Sequence, residues 1–291
     1  MISGMYTILN FCIVLFIYIH VLFHLKKNGS NEVYEITHLQ TKDNFEEVCD
    51  IRQPVVFDFT HQQNLLSVFK QENLLKSAKS HNLNIRDITK SEDVPDTQTS
   101  IKNALALVNK DAENITSRYL CEKNHEFLKE THLFQQIKLN DTFLRPSMTL
   151  TQTYDLQFAS DKCKTHLRYE LNYRTFFLIT EGNVRIKMAS PKNTRYLFEE
   201  TDYTKFEFKS PVNPWSVQPE YKKEVDNVEW VDIELSKGQL IFIPAFWWYS
   251  IEFGKNSMAA KFSYRTYMNA LAISPKLVNS FLHSDSLKNI F

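Results

Sequence analysis

The chain has 291 residues, of which 43% are hydrophobic and 13% aromatic, a composition typical of a globular protein rather than a disordered one. Its 34 basic and 34 acidic residues cancel, so no overall electrostatic field indicates a nucleic-acid partner. Only five glycines occur, and neither a GxGxxG nor a GxxxxGK(S/T) motif is present, which argues against dinucleotide-binding and P-loop proteins. None of the four cysteines forms a CxxC pair, which argues against a zinc knuckle.

An uncharged apolar run near the N-terminus, Met5–Leu25, has about the length of a bilayer-spanning helix. We expect a retained membrane anchor through residues 5–25, with residues 1–30 forming the anchor and a linker. A cleaved signal peptide and a buried helix are the alternatives. Lys26 and Lys27 follow the run and no Lys or Arg precedes it, so the positive-inside rule predicts a single-pass protein with a cytosolic C-terminal domain. In that compartment the three sequons would stay unglycosylated; they begin at Asn28, Asn114 and Asn140.

Residues 31–144 are predicted to be the mixed helical N-terminal portion of a larger domain. A strand is expected over residues 53–59, with Pro54 marking its start. The sequence from His61 to about Lys110 has a polar, helical texture, and near its end one helix face carries the apolar residues. These are Ile101, Ala104, Leu105 and Val108.

From Pro146 the hydrophobic pattern changes to a period of two, which predicts a long β-strand over residues 148–158. Further short strands follow as far as Tyr264, and many short strands separated by turns favour a sandwich or a jelly roll. We therefore assign residues 145–275 to a jelly-roll core and residues 276–291 to a C-terminal helix or tail. The predicted fold class is mainly β with a helical N-terminal portion, preceded by one transmembrane helix.

Three segments carry a resemblance to a known family. They are Gln53-Pro-Val-Val-Phe, then Thr165-His-Leu-Arg-Tyr-Glu with Phe176-Phe177 and Gly182 after it, then Gly238-Gln-Leu-Ile-Phe-Ile-Pro-Ala-Phe-Trp-Trp-Tyr. In this order and spacing the chain, from about residue 35 to 275, resembles the JmjC and cupin-like family. The resemblance implies a double-stranded β-helix of the kind that houses Fe(II)/2-oxoglutarate-dependent hydroxylases and demethylases. It also places Trp247 and Trp248 in a packed strand end beside the metal centre.

The resemblance assigns unsuitable residues to the positions that bind metal in active members. Arg168 and Glu170 stand at the His-x-Asp pair and Tyr249 at the second histidine, whereas an ungapped alignment gives Tyr169 and Leu171. A non-haem Fe(II) oxygenase needs two histidines and a carboxylate. A guanidinium cannot be a ligand, because it is permanently protonated.

The lysine that family enzymes often use for the 2-oxoglutarate carboxylate is also replaced, by Val184. We therefore expect no cofactor. The leading interpretation is a degenerate, non-catalytic binding or scaffolding module, a pseudoenzyme, with a protein partner that the sequence does not identify.

Other arrangements of the same residues stay open on sequence grounds. His166 and Glu170 share one face of the predicted strand, so a shifted register would offer both to a metal. The alternative function is then an Fe(II)/2-oxoglutarate-dependent hydroxylase or demethylase with non-standard ligands. The same alternation also fits a solvated polar face. In a third arrangement, Arg168 points into the barrel in place of the metal, pairs with Glu170 and is reached by the Tyr249 hydroxyl.

Overall fold

The computed structural model describes residues 2–37, 41–78, 81–90, 96–110 and 118–288. Within these ranges the helices are α1 (Ile2–Leu25), α2 (Lys42–Asp50), α3 (Gln63–Val68), α4 (Gln71–Ser77), α5 (Ile101–Lys110), α6 (His125–Glu130), α7 (Leu133–Asn140), α8 (Lys222–Val225), α9 (Tyr267–Ala272) and α10 (Ser274–Lys288). A 3-10 helix covers Pro191–Tyr196. Most of the helices before residue 145 are short, so their stability comes from packing against the sheet rather than from their own propensity.

The strands form two sheets. They are β1 (Tyr34–Ile36), β2 (Val55–Asp58), β3 (Asn82–Asp87), β4 (Thr97–Ser100), β5 (Tyr119–Cys121), β6 (Thr149–Ala159), β7 (Arg168–Tyr169), β8 (Arg174–Glu181), β9 (Asn183–Ala189), β10 (Glu200–Asp202), β11 (Glu207–Lys209), β12 (Trp230–Ser236), β13 (Gln239–Ile243), β14 (Trp248–Phe253) and β15 (Met258–Thr266). The nine-stranded sheet has the order β1-β2-β13-β8-β15-β6-β5-β3-β4, and the six-stranded sheet has the order β10-β11-β7-β14-β9-β12. Both sheets are antiparallel over the described strands, apart from the parallel pair β1 and β2.

Three apolar clusters hold these layers together. The first fills the space between the nine-stranded sheet and helices α2 to α7, with Phe45 and Phe176 at its centre. The second lies between the two sheets and includes Ile179 and Ile251. The third covers the outer face of the six-stranded sheet and includes Trp248. The cupin-like expectation of a mainly β domain with packed helices is confirmed at this level.

The long strand expected after Pro146 is β6, and its two faces serve different purposes. Tyr154, Leu156 and Phe158 pack against the helices. Asp155 and Gln157 point the other way and line a cavity. The period of two is the physical reason, since successive side chains of a strand project to opposite faces.

The region from His61 to Lys110 is less helical than its composition predicts. Helices α3 and α4 lie there, but β3 and β4 follow them, so the helical expectation is wrong over β3. Strand β3 pairs with β4 and β5, and such pairing with distant strands outweighs local propensity. The expectation for α5 is confirmed, because its buried residues are the predicted apolar face: Ile101, Ala104, Leu105 and Val108.

Helix α1 contains the predicted apolar run. An 18-residue window within Met5–Leu25 has a mean hydropathy of 2.3, and most residues of that window are exposed. By length and composition it can cross a membrane, a property that it shares with signal sequences. Of the sequons, Asn28 and Asn140 lie in the described part of the chain, whereas Asn114 lies outside the described residues.

Candidate functional site

The two strands that carry the predicted site residues are neighbours in the six-stranded sheet. Tyr249 on β14 lies opposite Arg168 on β7. Residues at opposite positions of an antiparallel pair project from the same face, here the face that looks toward the nine-stranded sheet. Tyr169 and Leu171 pack in the cluster on the outer face instead. The strand register therefore puts Arg168 and Glu170, not Tyr169 and Leu171, beside Tyr249.

Arg168 takes its ion-pair partner from outside the predicted site. Its Nη2 donates to Oε2 of Glu122 at 2.7 Å, and Nη2 of Arg86 lies 3.9 Å from the other oxygen of that carboxylate. Burial alone would raise the pKa of Glu122, but the positive charge of Arg168 lowers it to about 2. The predicted direct ion pair between Arg168 and Glu170 is therefore wrong. The guanidinium of Arg168 instead pairs with Glu122, which directly follows β5.

Four side chains donate hydrogen bonds to the carboxylate of Glu170. Its Oε1 accepts from the Tyr249 hydroxyl at 2.7 Å and from the ammonium of Lys261. Its Oε2 accepts from Nδ2 of Asn172 at 3.0 Å and from the hydroxyl of Thr175 at 3.2 Å. The predicted contact between Glu170 and the Tyr249 hydroxyl is present, and the cation that pairs with Glu170 is Lys261 on β15.

Glu170, Tyr249 and Lys261 each keep a single protonation state near neutral pH. Burial would raise the pKa of Glu170, but Lys261 lowers it to about 2. Burial and then the negative charge of Glu170 raise the pKa of Tyr249 to about 12. Burial opposes the charge on Lys261, yet the carboxylate raises its pKa above the ordinary value. The group is thus a carboxylate held by an ammonium and a neutral phenol, and none of the three titrates near pH 7.

A cavity of about 420 Å³ lies beside these residues, between the two sheets. Charged groups of both signs line it. The cations are Lys123, Arg168, Lys205, Lys261 and Arg265, and the acids are Glu122, Asp155, Glu170 and Glu207. Most of these charges are paired within the wall, as Arg168 and Lys261 are.

Apart from Oε2 of Glu207, which lies 2.8 Å from Nζ of Lys209, four polar atoms on the cavity wall have no hydrogen-bond partner within the described part of the chain. They are Nε of Arg168, Nε of Arg265, Oγ of Ser263 and Oε1 of Gln157. Ser263 is only 5% exposed and Gln157 only 1%. A buried polar group without a partner costs free energy, so such atoms mark a place where a ligand or water can bind.

The turn between β13 and β14 fixes the position of Glu170. Phe246 adopts a φ of 69°, and its backbone N–H donates to the carbonyl oxygen of Glu170 at 2.9 Å. The two tryptophans that follow lie on opposite faces of the sheet. Trp247 packs between the sheets, and Trp248 packs on the outer face, where its Nε1 donates to the hydroxyl of Thr194 at 2.9 Å.

A comparison with protein families accounts for this architecture. The sequence model of a family described as a cupin-like domain matches residues 40–270. The chain belongs to the cupin-like domain family. This membership confirms the JmjC and cupin-like resemblance inferred from the sequence. No curated protein matches the chain.

The positions that would hold iron in this cupin-like protein do not fit Fe(II). Arg168 has no lone pair to offer, and the phenol of Tyr249 keeps its proton. Glu170 alone has the right chemistry, but protein donors already occupy both of its oxygens. Among the described residues, no three His, Cys, Asp or Glu side chains are arranged to hold a metal ion. We therefore derive no step through a metal.

The remaining predicted site residues lie away from the cavity of this cupin-like domain. His166 is exposed and borders a second cavity of about 460 Å³, which does not include Glu170, so the structure does not bring the two together. Val184 is buried between the sheets. Of the cations near it in sequence, Arg185 pairs with Asp232 at the surface, and Lys187 donates to the carbonyl oxygen of Pro214.

Sequence reasoning missed Glu122, Lys261, Ser263 and Arg265. A signal existed for the last three, because polar residues alternate with Ala260, Phe262 and Tyr264 along β15. That alternation predicts a strand with one polar, inward face once the other face is known to be core. No comparable signal existed for Glu122, since only the fold brings this part of the chain to β7.

Proposed function

We propose that this protein is a non-catalytic cupin-like binding module attached to a membrane through α1. The two sheets form a double-stranded β-helix, or jelly roll, whose core is residues 145–275. The anchor and linker (1–30) and the mixed helical portion (31–144) precede it, and a helix or tail (276–291) follows. The domain lies on the cytosolic side, as Lys26 and Lys27 after the apolar run favour.

One observation carries the non-catalytic assignment: the saturated carboxylate of Glu170. A carboxylate that ligates iron must present a lone pair to the metal, yet each oxygen here accepts two hydrogen bonds from the protein. The ammonium of Lys261 supplies the positive charge that the carboxylate needs inside the domain. The ion pair between Lys261 and Glu170 thus neutralises the carboxylate, as a bound metal would, but it offers no open coordination positions for cosubstrate and oxygen.

The charges of the cavity favour a small anionic ligand. Cationic side chains outnumber acidic ones in the cavity lining. Burial also raises the pKa of Asp155, which lowers the negative charge of the lining further. Arg265 donates from Nη2 to the amide oxygen of Asn172 at 3.1 Å, and among the described residues no carboxylate forms a direct ion pair with it. An anion can accept from the free Nε groups of Arg265 and Arg168 and from Ser263.

Metal binding tests the non-catalytic assignment. Isothermal titration of the full chain in detergent with Fe(II), with and without 2-oxoglutarate, should show no stoichiometric binding. Stoichiometric micromolar binding that disappears in Glu170→Ala or His166→Ala would contradict the proposal. That outcome would favour the alternative function, an Fe(II)/2-oxoglutarate-dependent hydroxylase or demethylase with non-standard ligands.

Thermal unfolding in the presence of small anions tests the ligand class. Inorganic phosphate should raise the unfolding temperature of the wild-type protein, because a ligand that binds only the folded state stabilises it. The increase should disappear in Arg265→Ala and persist in Arg185→Ala, whose guanidinium lies at the surface on the Asp232 carboxylate. Equal behaviour of these two variants would contradict an anion site in the cavity.

A further inference from the structure

The last turns of helix α1 are docked on the folded domain. His24 is buried, and its carbonyl oxygen accepts a hydrogen bond from Nη1 of Arg52 at 3.3 Å. The same guanidinium lies 4.7 Å from the ring centre of Phe23. A cation at the C-terminal end of a helix satisfies a free carbonyl group and complements the helix dipole. The end of α1 is therefore part of the packing of the domain.

The segment that follows α1 is also fixed to the domain. Nδ2 of Asn28 donates to the carbonyl oxygen of Ile51 at 3.0 Å. The backbone N–H of Tyr34 donates to the carbonyl oxygen of Pro54 at 3.1 Å. Strand β1 then pairs with β2 in the nine-stranded sheet. A connection held at several points cannot act as a flexible tether, so α1 has a defined direction relative to the domain.

The part of the apolar run that projects beyond the domain is too short to cross a bilayer alone. Residues of α1 from Phe16 onward line a cavity shared with the domain, so within the candidate span Met5–Leu25 only residues 5–15 project beyond that contact. At 1.5 Å per residue this part is about 16 Å long. The hydrocarbon core of a bilayer is about 30 Å thick. If α1 crosses the membrane, its docked turns must lie within the bilayer as well.

The surface of the domain beside those turns is apolar. We call it the membrane pole and define it by Met148, Tyr267, Met268 and Leu271. Met148 is 74% exposed, Tyr267 55% and Leu271 44%. The backbone N–H of Tyr267 donates to the carbonyl oxygen of Met148 at 3.3 Å, and Met148, Tyr267 and Met268 line one cavity.

A cavity of about 560 Å³ separates α1 from the membrane pole, and apolar side chains dominate its walls. Phe16, Ile19 and Phe23 line it from the helix, and Met148 and Tyr267 line it from the domain. The charged residues in its lining, Glu46 and Arg174, form an ion pair with each other at 3.8 Å. A lipid acyl chain has the right shape and polarity to fill it.

We propose that the membrane pole is immersed in the interfacial layer of the bilayer that α1 enters, with acyl chains filling the cavity between them. The proposal rests on the proposed membrane attachment of α1. Tyr267 suits this depth, because tyrosine is enriched where a protein crosses from lipid to water. Burial of the exposed apolar side chains in lipid adds to the binding that α1 provides. The domain then sits on the membrane in one orientation.

Depth-dependent fluorescence quenching of the full chain in phosphatidylcholine vesicles tests this proposal. Cys12 is exposed on α1, whereas Cys49, Cys121 and Cys163 are buried, so an NBD-maleimide label reaches Cys12 selectively. Leu271→Cys in a Cys12→Ser background moves the label to the membrane pole. The matched control is Lys255→Cys in the same background: Lys255 is exposed just before Met258, at the opposite end of β15 from α9.

The label at Cys12 should be quenched most by spin labels deep in the acyl chain, and the label at position 271 most by spin labels near the headgroup. The label at position 255 should keep the emission of a fluorophore in water. A label at position 271 that stays in water while Cys12 is deep in lipid would overturn the inference and leave membrane attachment intact. A label at Cys12 in water would overturn membrane attachment itself.

Discussion

At the scale of single residues, the proposed non-catalytic function depends on Glu170. It directly follows β7, at a position where the family resemblance assigns a metal ligand, and it faces the interior beside Tyr249. The ammonium of Lys261 neutralises it, and three neutral donors complete its hydrogen bonds. A buried carboxylate with these partners is stable inside the domain, and under the proposed function it binds no metal.

Removing Glu170 should destabilise the domain. In Glu170→Ala the ammonium of Lys261 stays enclosed without its partner, so we expect a loss of about 3 kcal/mol in the free energy of unfolding. This is the lower end of the usual range, because Glu170 retains 19% exposure. Urea unfolding measures it. The control is Asp232→Ala, which breaks the exposed pair with Arg185 and should cost less than about 1 kcal/mol. Equal losses in the two variants would place Glu170 at the surface.

Acid should weaken the domain through Glu122 and Glu170. Both carboxyls are buried, but the positive charge of Arg168 lowers the pKa of Glu122 to about 2, and that of Lys261 lowers the pKa of Glu170 to about 2. The ordinary value for a glutamate is 4.5. A carboxyl group whose pKa is lower in the folded than in the unfolded state stabilises the fold at pH values above its unfolded pKa. This contribution is lost as the pH falls toward the folded-state pKa. The free energy of unfolding should therefore fall between about pH 4.5 and pH 2.

Replacement of Glu122 tests the source of that pH dependence. In Glu122→Gln the decrease below about pH 4.5 should be smaller, because one of the two depressed carboxylates is gone. Urea unfolding at several pH values measures the slope. In Glu126→Gln the slope should hardly change, since that carboxylate is exposed and solvent screens its interaction with Lys129. An unchanged slope in Glu122→Gln would mean that the Arg168 pair does not set the pKa.

At the scale of elements, the turn from β13 to β14 joins the two sheets. Strand β13 belongs to the nine-stranded sheet and β14 to the six-stranded sheet, and only a few residues connect them. The backbone changes direction at Phe246, and the large side chains that follow pack on both faces of the second sheet. This is the physical reason for the concentration of aromatic residues at this point of the sequence.

Trp247→Ala should destabilise the domain by about 3–5 kcal/mol, the usual range for a large aromatic side chain removed from a core. Trp247 is almost fully buried between the sheets, so its removal leaves a cavity that the surrounding strands cannot fill. Urea unfolding measures the loss, and Trp247→Phe, which keeps a ring in place, should lose less. An unchanged unfolding midpoint in Trp247→Ala would show that the side chain is exposed.

At the scale of the whole molecule, the packing of α1 bears on whether it is retained. Arg52, Tyr173 and His24 contact one another where α1 meets the domain. Cleavage after the apolar run would remove His24 and leave the guanidinium of Arg52 with fewer partners. The docked end of α1 thus supports the proposal that this helix is retained.

The full chain should resist extraction from membranes by carbonate, because an uncharged helix of this length is stable in lipid. The domain should carry no glycan on Asn140 if it faces the cytosol. Immunoblotting of membrane fractions, with and without endoglycosidase, measures both. Release of the chain by carbonate would contradict the anchor. A glycan at Asn140 would contradict the orientation and leave the anchor standing.

The sequence by itself determined the family, the long β6 strand, the apolar face of α5 and the apolar N-terminal helix. Each depends on a pattern within one segment: a motif, a period of two, a helical period or an uncharged run. Tertiary structure alone decided that Glu122 pairs with Arg168 and Lys261 with Glu170, because these partners come from strands and loops far apart in sequence. It also decided that β3 and β4 are strands, since their hydrogen bonds depend on distant neighbours. Local patterns fix which face of a strand is polar, and only the fold fixes which polar groups meet there.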